Sequence, residues 1–163
     1  TKKYINSIFY ISSSFIFIFL IGNYNNEFNP NLILGCFILV WVNDTLAYLV
    51  GTSIGKQKLF VNVSPNKTVE GFLGGLFFCC ICSIPISKYL YELSFTNWLI
   101  ISIIISVFGT IGDLVESKYK RKSLVKDSGI ILPGHGGLLD RLDSIMFASP
   151  FIYLFLIIIS DVS

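Results

Sequence analysis

Five acidic side chains stand in or beside strongly apolar stretches of this sequence. They are Asp44 in WVNDTLAYLVG, Asp113 and Glu116 in FGTIGDLVES, and Asp140 and Asp143 in HGGLLDRLD. A charge at membrane depth costs roughly 3 kcal/mol on insertion scales, so each acid is a hypothesis of function. Asp113 and Glu116 are three residues apart, as are Asp140 and Asp143, so each pair shares one side of its helix. Two such pairs on facing helices would supply the oxygen ligands that Mg²⁺ prefers.

Basic residues and glycines lie near these acids. The basic ones are Lys56, Lys58, Lys67 and the cluster at 118–126. Polyphosphate chemistry needs this combination, because a carboxylate-held metal bridges phosphate oxygens and the cations neutralise developing charge. The turn PGHGG places Gly136 and Gly137 just before the last apolar stretch, where free N–H groups of a helix start favour an anion.

The segment SPNKTVEG is a second candidate phosphate-binding turn. It sets a Ser, a Lys and a Thr on a proline-containing turn before a helix. It is not a Walker motif and no strand-then-helix pattern is visible around it, which excludes a P-loop nucleotidase.

Each feature has an alternative interpretation. The lysines could be topology determinants that bind anionic lipid heads. Asp113 and Asp140 could be neutralised in structural ion pairs, and Asp44 could be protonated or hydrogen-bonded by a neighbouring helix. His135 could bond only a loop carbonyl, and Asp143 or Ser144 could simply cap a helix. A site is favoured because all of these features fall on the same face of the membrane.

The elements that must position these residues are transmembrane helices. Of the 163 residues 53% are hydrophobic and only 13% charged, whereas soluble domains carry about a quarter charged residues. Five stretches are long and apolar enough to span a membrane, at 4–22, 32–54, 72–90, 98–115 and 138–160. The first is expected to be a retained helix and not a signal peptide, because no small-residue cleavage site follows it. The prediction is an all-α polytopic membrane protein forming a single membrane domain over 1–163.

The basic residues predict the orientation of the five helices. Threading them in alternate directions puts eleven of the twelve Lys and Arg residues on one side and only Lys88 on the other. By the positive-inside rule that side is cytoplasmic, and it is also the side of the five acids. We therefore expect an integral protein of a bacterial-type plasma membrane with a cytoplasm-facing active site.

The run SKYKRKSLVKDSGIILPGHGGLLDRLD resembles the signature of the phosphatidate cytidylyltransferase (CDP-diacylglycerol synthase) family. The matching positions are Ser117, Lys120, Arg121, Lys126, Asp127, Gly129, His135, Gly136, Gly137, Asp140, Arg141 and Asp143. Tyr119 departs from the pattern, where an aliphatic residue or Phe is usual. Similar segments surround Asp44, Ser64 and Asp113, so the likeness covers roughly 41–160, the C-terminal catalytic part of the family. The family usually carries further N-terminal helices, and we expect this chain to lack them.

The resemblance implies transfer of CMP from CTP to phosphatidate, with Mg²⁺ and room for a second cation. It implies that Asp113 and Asp140 bind the metal. The position of the other acids makes Asp44, Glu116 and Asp143 further candidate ligands. Lys67, Arg121, Lys126 and His135 are candidate catalytic residues. The candidate substrate-binding residues are Ser64, Lys56, Ser117, Lys120, Gly136, Gly137 and Arg141. The implied partners are CTP, phosphatidate, the lipid bilayer and a second copy in a homodimer, and no nucleic acid is expected.

Two other functions stay open at this point. A relative in the same broad family could use CTP as a kinase donor to a polyprenol and release CDP. A transporter could use Asp44 and Asp113 to line an ion path, but that function leaves HGGLLDRLD unexplained.

Overall fold

A computed structural model describes the backbone of residues 2–24, 27–61, 63–122 and 139–162, with side chains over 10–24, 27–61, 63–121 and 142–161. Five helices and one short hairpin make up this part of the chain. They are α1 (Lys2–Gly22), α2 (Pro30–Ile54), β1 (Lys58–Phe60), β2 (Ser64–Thr68), α3 (Val69–Leu90), α4 (Phe95–Lys122) and α5 (Leu139–Val162). The predicted polytopic helical architecture is confirmed.

Four helices in the described residues are long and apolar enough to cross a membrane. They are Pro30–Ile54, Val69–Leu90, Phe95–Arg121 and Leu142–Asp161, and Tyr10–Gly22 of α1 is a shorter apolar helix. Helices satisfy their own backbone hydrogen bonds, which is why apolar runs of this length adopt them in lipid. The chain is an integral membrane protein.

The hairpin between α2 and α3 was not predicted. Strands β1 and β2 pair antiparallel, with Lys58 opposite Thr68 and Phe60 opposite Ser64. Strands of three and five residues are too short for an alternating pattern to stand out in the sequence. The hairpin gives SPNKT the strand-then-helix setting that the sequence did not reveal, although the Walker glycines are still missing. Thr68 ends β2 and caps α3, its side chain accepting a hydrogen bond of 3.1 Å from Gly71 N.

Small residues bring the helices into close contact. A Cβ on Gly71 would lie 2.7 Å from the carbonyl oxygen of Ala47, so α2 and α3 pack backbone to backbone there. A Cβ on Gly112 of α4 would lie 2.6 Å from the Cβ of Phe147 on α5. Close approach at small residues is a common way for helices to associate in lipid, where there is no hydrophobic drive between them.

The core is centred on α4, which packs against α2, α3 and α5, whereas α1 packs mainly on α5. Trp98, Ile101 and Ile105 of α4 are fully buried, together with Leu39 of α2 and Ile152 of α5. The C-terminal half of α4 lies against α5, where a Cβ on Gly109 or Gly112 would contact Ser144 or Phe147. Asp44, Asp113 and Asp143 all belong to that region of the bundle.

Candidate active site

Asp113 lies at the centre of a polar cluster formed by α2, α4, α5 and β2. Its Oδ2 atom forms a salt bridge with the ammonium group of Lys67 from β2. Its Oδ1 atom accepts a hydrogen bond of 2.5 Å from the hydroxyl of Ser144 on α5. Both carboxylate oxygens are therefore engaged by partners from other elements of the fold, which fixes the direction of the side chain.

Asp44 reaches the same cluster from α2. Its Oδ2 atom lies 3.4 Å from the Ser144 hydroxyl, and its Oδ1 atom is 3.3 Å from the amide nitrogen of Asn43. The Asn43 side chain is in turn held by the hydroxyl of Ser106 on α4, which donates to its Oδ1 atom over 2.6 Å. A continuous chain of polar contacts thus connects α2, α4 and α5 inside the membrane domain.

Glu116 and Asp143 form the other side of the cluster. Glu116 forms a salt bridge of 2.8 Å with Lys120, one turn further along α4. The Asp143 Oδ1 atom accepts from the Ser144 N–H at 2.8 Å, and the Asp143 carbonyl oxygen would lie 2.9 Å from a Cβ on Gly112, the residue before Asp113. Asp113 and Glu116 both lie on α4, three residues apart, and Asp113 contacts α5 through Ser144.

Two alternatives considered from the sequence are present in the structure. Asp113 is in an ion pair, with Lys67, and Asp44 is hydrogen-bonded by a neighbouring helix, through Ser144. Both contacts are compatible with a site, because exchangeable ion pairs and hydrogen bonds also hold catalytic carboxylates in place. The capping alternative does not apply to Ser144, which lies inside α5 and directs its hydroxyl at two carboxylates.

Several predicted residues make no hydrogen bond or salt bridge to the carboxylates of this cluster, and others lie outside the described part of the structure. Lys56 is exposed, and its backbone N–H donates to Glu70 at 3.0 Å. Ser64 pairs with Phe60 in the hairpin, Ser117 is half-buried on α4, and Arg121 is exposed at its end. The positions outside the described side chains are Lys126, His135, Gly136, Gly137, Asp140 and Arg141.

Three polar residues of the cluster were not predicted as part of a site. Asn43, Ser106 and Ser144 are 3%, 0% and 2% exposed, respectively. Serine and asparagine occur in many transmembrane helices as ordinary packing or hydrogen-bonding residues, so their type gives little signal. Only the position of Asn43 directly before Asp44 in the sequence could have indicated a role for Asn43.

Tyr10 is a fourth residue near the cluster. Helices α1 and α5 run side by side, with Ser149 donating to the Ser14 carbonyl at 3.4 Å and the rings of Phe17 and Tyr153 6.0 Å apart. Tyr10 lies one turn before Ser14, and helical side chains lean toward the N-terminus. These contacts place Tyr10 toward the end of α5 at which Ser144 lies.

Comparison with known proteins identifies the family. The model of the Cytidylyltransferase family matches residues 1–159. The chain belongs to the cytidylyltransferase family.

Relatives named phosphatidate cytidylyltransferase are similar to this chain. The protein of Staphylococcus aureus (strain COL) is 51% identical over 128 residues, which cover 77% of this chain and 48% of the relative. The proteins of Staphylococcus saprophyticus and Staphylococcus epidermidis are 52% and 49% identical over the same shares. The chain spans about half the length of the curated relatives it matches.

The donor atoms of this cytidylyltransferase cluster suit a divalent cation. Asp44, Asp113, Glu116 and Asp143 are four carboxylates, and the salt bridges within the described residues supply two lysines, Lys67 and Lys120. Mg²⁺ prefers oxygen ligands, and the carboxylates here outnumber the lysines that pair with them. Among the described side chains, no group of three or more Asp, Glu, His or Cys residues forms a preformed metal site. Asp140, a candidate ligand, lies outside that set.

Proposed function

We propose that this chain is the catalytic part of a phosphatidate cytidylyltransferase. The reaction is transfer of CMP from CTP to phosphatidate, which gives CDP-diacylglycerol and pyrophosphate. The observation that carries the proposal is the convergence of Lys67 with the carboxylates of Asp44, Asp113 and Asp143 from three helices. Their sequence context resembles that of the cytidylyltransferases, and the similarity of the staphylococcal relatives supports the same substrates.

The proposed chemistry is an in-line displacement at the α-phosphorus of CTP. A phosphate oxygen of phosphatidate forms the new P–O bond, while the bond to the bridging oxygen of the β-phosphate breaks and pyrophosphate leaves with its electron pair. The nucleophile is already an anion, so no strong general base is needed. Catalysis then depends on positioning and on neutralising charge.

Mg²⁺ bound by this family would supply a bridge between phosphate oxygens and neutralise their charge. We assign its ligands to Asp113 and Asp140, with Asp44, Glu116 and Asp143 as supporting or additional ligands, which leaves room for a second cation. The carboxylates available in the described part of the chain are consistent with that assignment.

Lys67 has a specific part in this proposal. Its side chain is 29% exposed in the pair with Asp113, and its ammonium group has three donors that can turn toward a phosphate oxygen. Before substrate arrives, the pair keeps both charges neutralised inside the membrane domain. When the triphosphate binds, Lys67 exchanges Asp113 for a phosphate. We assign Arg121 and Lys126 to the triphosphate or lipid phosphate as well, and His135 with Gly136 and Gly137 to the shape of the pocket.

The proposed location is the cytoplasmic face of a bacterial plasma membrane. In the described residues Lys56, Lys58, Lys118 and Arg121 lie at the end of the bundle that carries the site, and Lys88 lies near the opposite end of α3. This distribution supports a cytoplasmic site by the positive-inside rule. A homodimer is proposed from the family resemblance, and light scattering of the detergent-solubilised protein would measure its mass.

The function is tested by purifying the full-length protein and measuring pyrophosphate release from CTP with and without phosphatidate. We expect release only with phosphatidate, together with a CDP-diacylglycerol product. Asp140→Asn should abolish turnover, whereas Asp161→Asn, an exposed acid at the other end of α5, should not. Formation of CDP and a phosphorylated polyprenol would indicate the kinase instead. A folded protein that releases no pyrophosphate would refute the proposal.

A further inference from the structure

Ser144 joins two carboxylates that are far apart in the sequence. It is 2% exposed, and its hydroxyl oxygen lies 2.5 Å from Asp113 Oδ1 and 3.4 Å from Asp44 Oδ2. Asp113 is 31 residues before it and Asp44 100 residues before it. The contact therefore links the acids of α2 and α4 through one atom of α5.

A single hydroxyl cannot satisfy both carboxylates equally by donation. Serine carries one O–H proton, which the hydroxyl shares between a short hydrogen bond to Asp113 Oδ1 and a longer, weaker one to Asp44 Oδ2. This arrangement leaves Asp44 Oδ2 available to a positively charged ligand beside Asp113.

The backbone of Ser144 is packed against α4. Its backbone N–H donates to Asp143 Oδ1 at 2.8 Å, within the regular helix α5. On the facing helix a Cβ on Gly109 would lie 3.4 Å from the Ser144 Cβ, so the two backbones are in close contact. The backbone that carries the Ser144 hydroxyl is thus positioned by the packing of α4 against α5.

The other oxygen of each carboxylate is held separately. Asp113 Oδ2 is held by Lys67, and Asp44 Oδ1 by Asn43, which accepts from Ser106. Ser144 is consequently the residue that positions the two remaining oxygens, Asp113 Oδ1 and Asp44 Oδ2, relative to each other. A cation that needs oxygens at defined separations is sensitive to such a partner.

We propose that Ser144 is a positioning residue for divalent-cation binding, acting by fixing Asp113 Oδ1 against Asp44 Oδ2. The inference deepens the proposed function, because it concerns the cation of the same site. It is separable from that function, since cation affinity is measurable without catalysis. Loss of the hydroxyl should weaken the cation site and leave the fold of the bundle intact.

The test measures Mn²⁺ binding to the full-length protein in nanodiscs, with free Mn²⁺ followed by electron paramagnetic resonance. We expect Ser144→Ala to raise the Kd for Mn²⁺ by about 10-fold to 100-fold, the range typical of partners that orient metal ligands. Ser144→Thr keeps the hydroxyl and should recover part of the affinity. In the activity assay Ser144→Ala should need more Mg²⁺ and approach the wild-type kcat when Mg²⁺ is saturating.

Ser149→Ala is the matched control. Ser149 lies on the same helix, is fully buried, and bonds the Met146 and Ser14 carbonyls away from the acids. A purely structural effect would lower the melting temperature in both variants and leave both Kd values unchanged. An unchanged Kd in Ser144→Ala, or an equal loss in Ser149→Ala, would overturn the inference.

The same experiment separates this inference from the proposed function. Mn²⁺ binding that depends on Ser144 in a protein that makes no CDP-diacylglycerol would refute the proposed function and support the positioning role. A wild-type protein that makes CDP-diacylglycerol and binds no Mn²⁺ in the absence of nucleotide would refute the positioning role alone.

Discussion

Lys67 in β2 and Asp113 in α4 form a salt bridge across 46 residues of sequence. The side chains are 29% and 21% exposed, so the pair is largely shielded from water. The bridge ties the short hairpin to the helix that carries the proposed metal ligand. It places the lysine of SPNKT where a phosphate bound near Asp113 would be within its reach.

Replacing Lys67 with Ala should lower kcat/KM for CTP by about 100-fold, the usual effect of removing one charge-stabilising donor from a transition state. It should also lower the melting temperature, because Asp113 keeps its charge and loses its lysine. Steady-state kinetics with CTP and a thermal melt in detergent measure the two effects. Lys58→Ala is the control, since Lys58 is exposed in the same hairpin. Equal activity in the two variants would contradict the assignment of Lys67.

Close packing of α4 on α5 predicts opposite outcomes at two glycines. A Cβ on Gly112 would lie 2.6 Å from Phe147 Cβ and 2.9 Å from the Asp143 carbonyl oxygen, whereas the nearest atom to a Cβ on Gly109 is 3.4 Å away. Gly112→Ala should therefore destabilise the protein by about 1–3 kcal/mol through overpacking, and it should disturb Asp143. Gly109→Ala should be better tolerated. Thermal melts and activity of both variants test this, and equal melting temperatures would count against the described interface.

Glu92 is expected to stabilise the end of the bundle opposite the site. Its carboxylate accepts hydrogen bonds from the side chains of Asn29 and Asn31, which joins the α3–α4 connection to the start of α2. Glu92→Ala should cost about 1–2 kcal/mol of stability, because both amides lose a charged acceptor. Activity at a permissive temperature should stay at the wild-type level. Lys88→Ala, which alters an exposed charge at the same end, should change neither property.

The sequence was sufficient to predict the helices and to single out the acids of the proposed site, but not the contacts that join them. Apolar runs long enough to cross a membrane have one main backbone solution, so α2 to α5 followed from composition. Asp113 and Glu116 could be assigned to one face from their spacing alone. The contacts of Ser144 with Asp113 and Asp44 depend on how α5 is rotated against α2 and α4, which is set by packing at Gly109 and Gly112. The pairing of Lys67 with Asp113 likewise depends on a hairpin whose strands are too short to detect.

Removal of divalent cations should abolish CMP transfer. Adding different cations back should then distinguish direct binding by the carboxylates from screening of their charge. The carboxylates of Asp44, Asp113, Glu116 and Asp143 exceed the lysines that pair with them in the described residues, so a cation is expected to bind their oxygens directly. Pyrophosphate release should therefore stop in excess EDTA and return with Mg²⁺ or Mn²⁺. Hexaamminecobalt(III), which carries more charge but offers no open coordination position, should fail to restore it. Full activity with hexaamminecobalt(III) would show that the acids need only screening, and it would contradict Asp113 as a ligand.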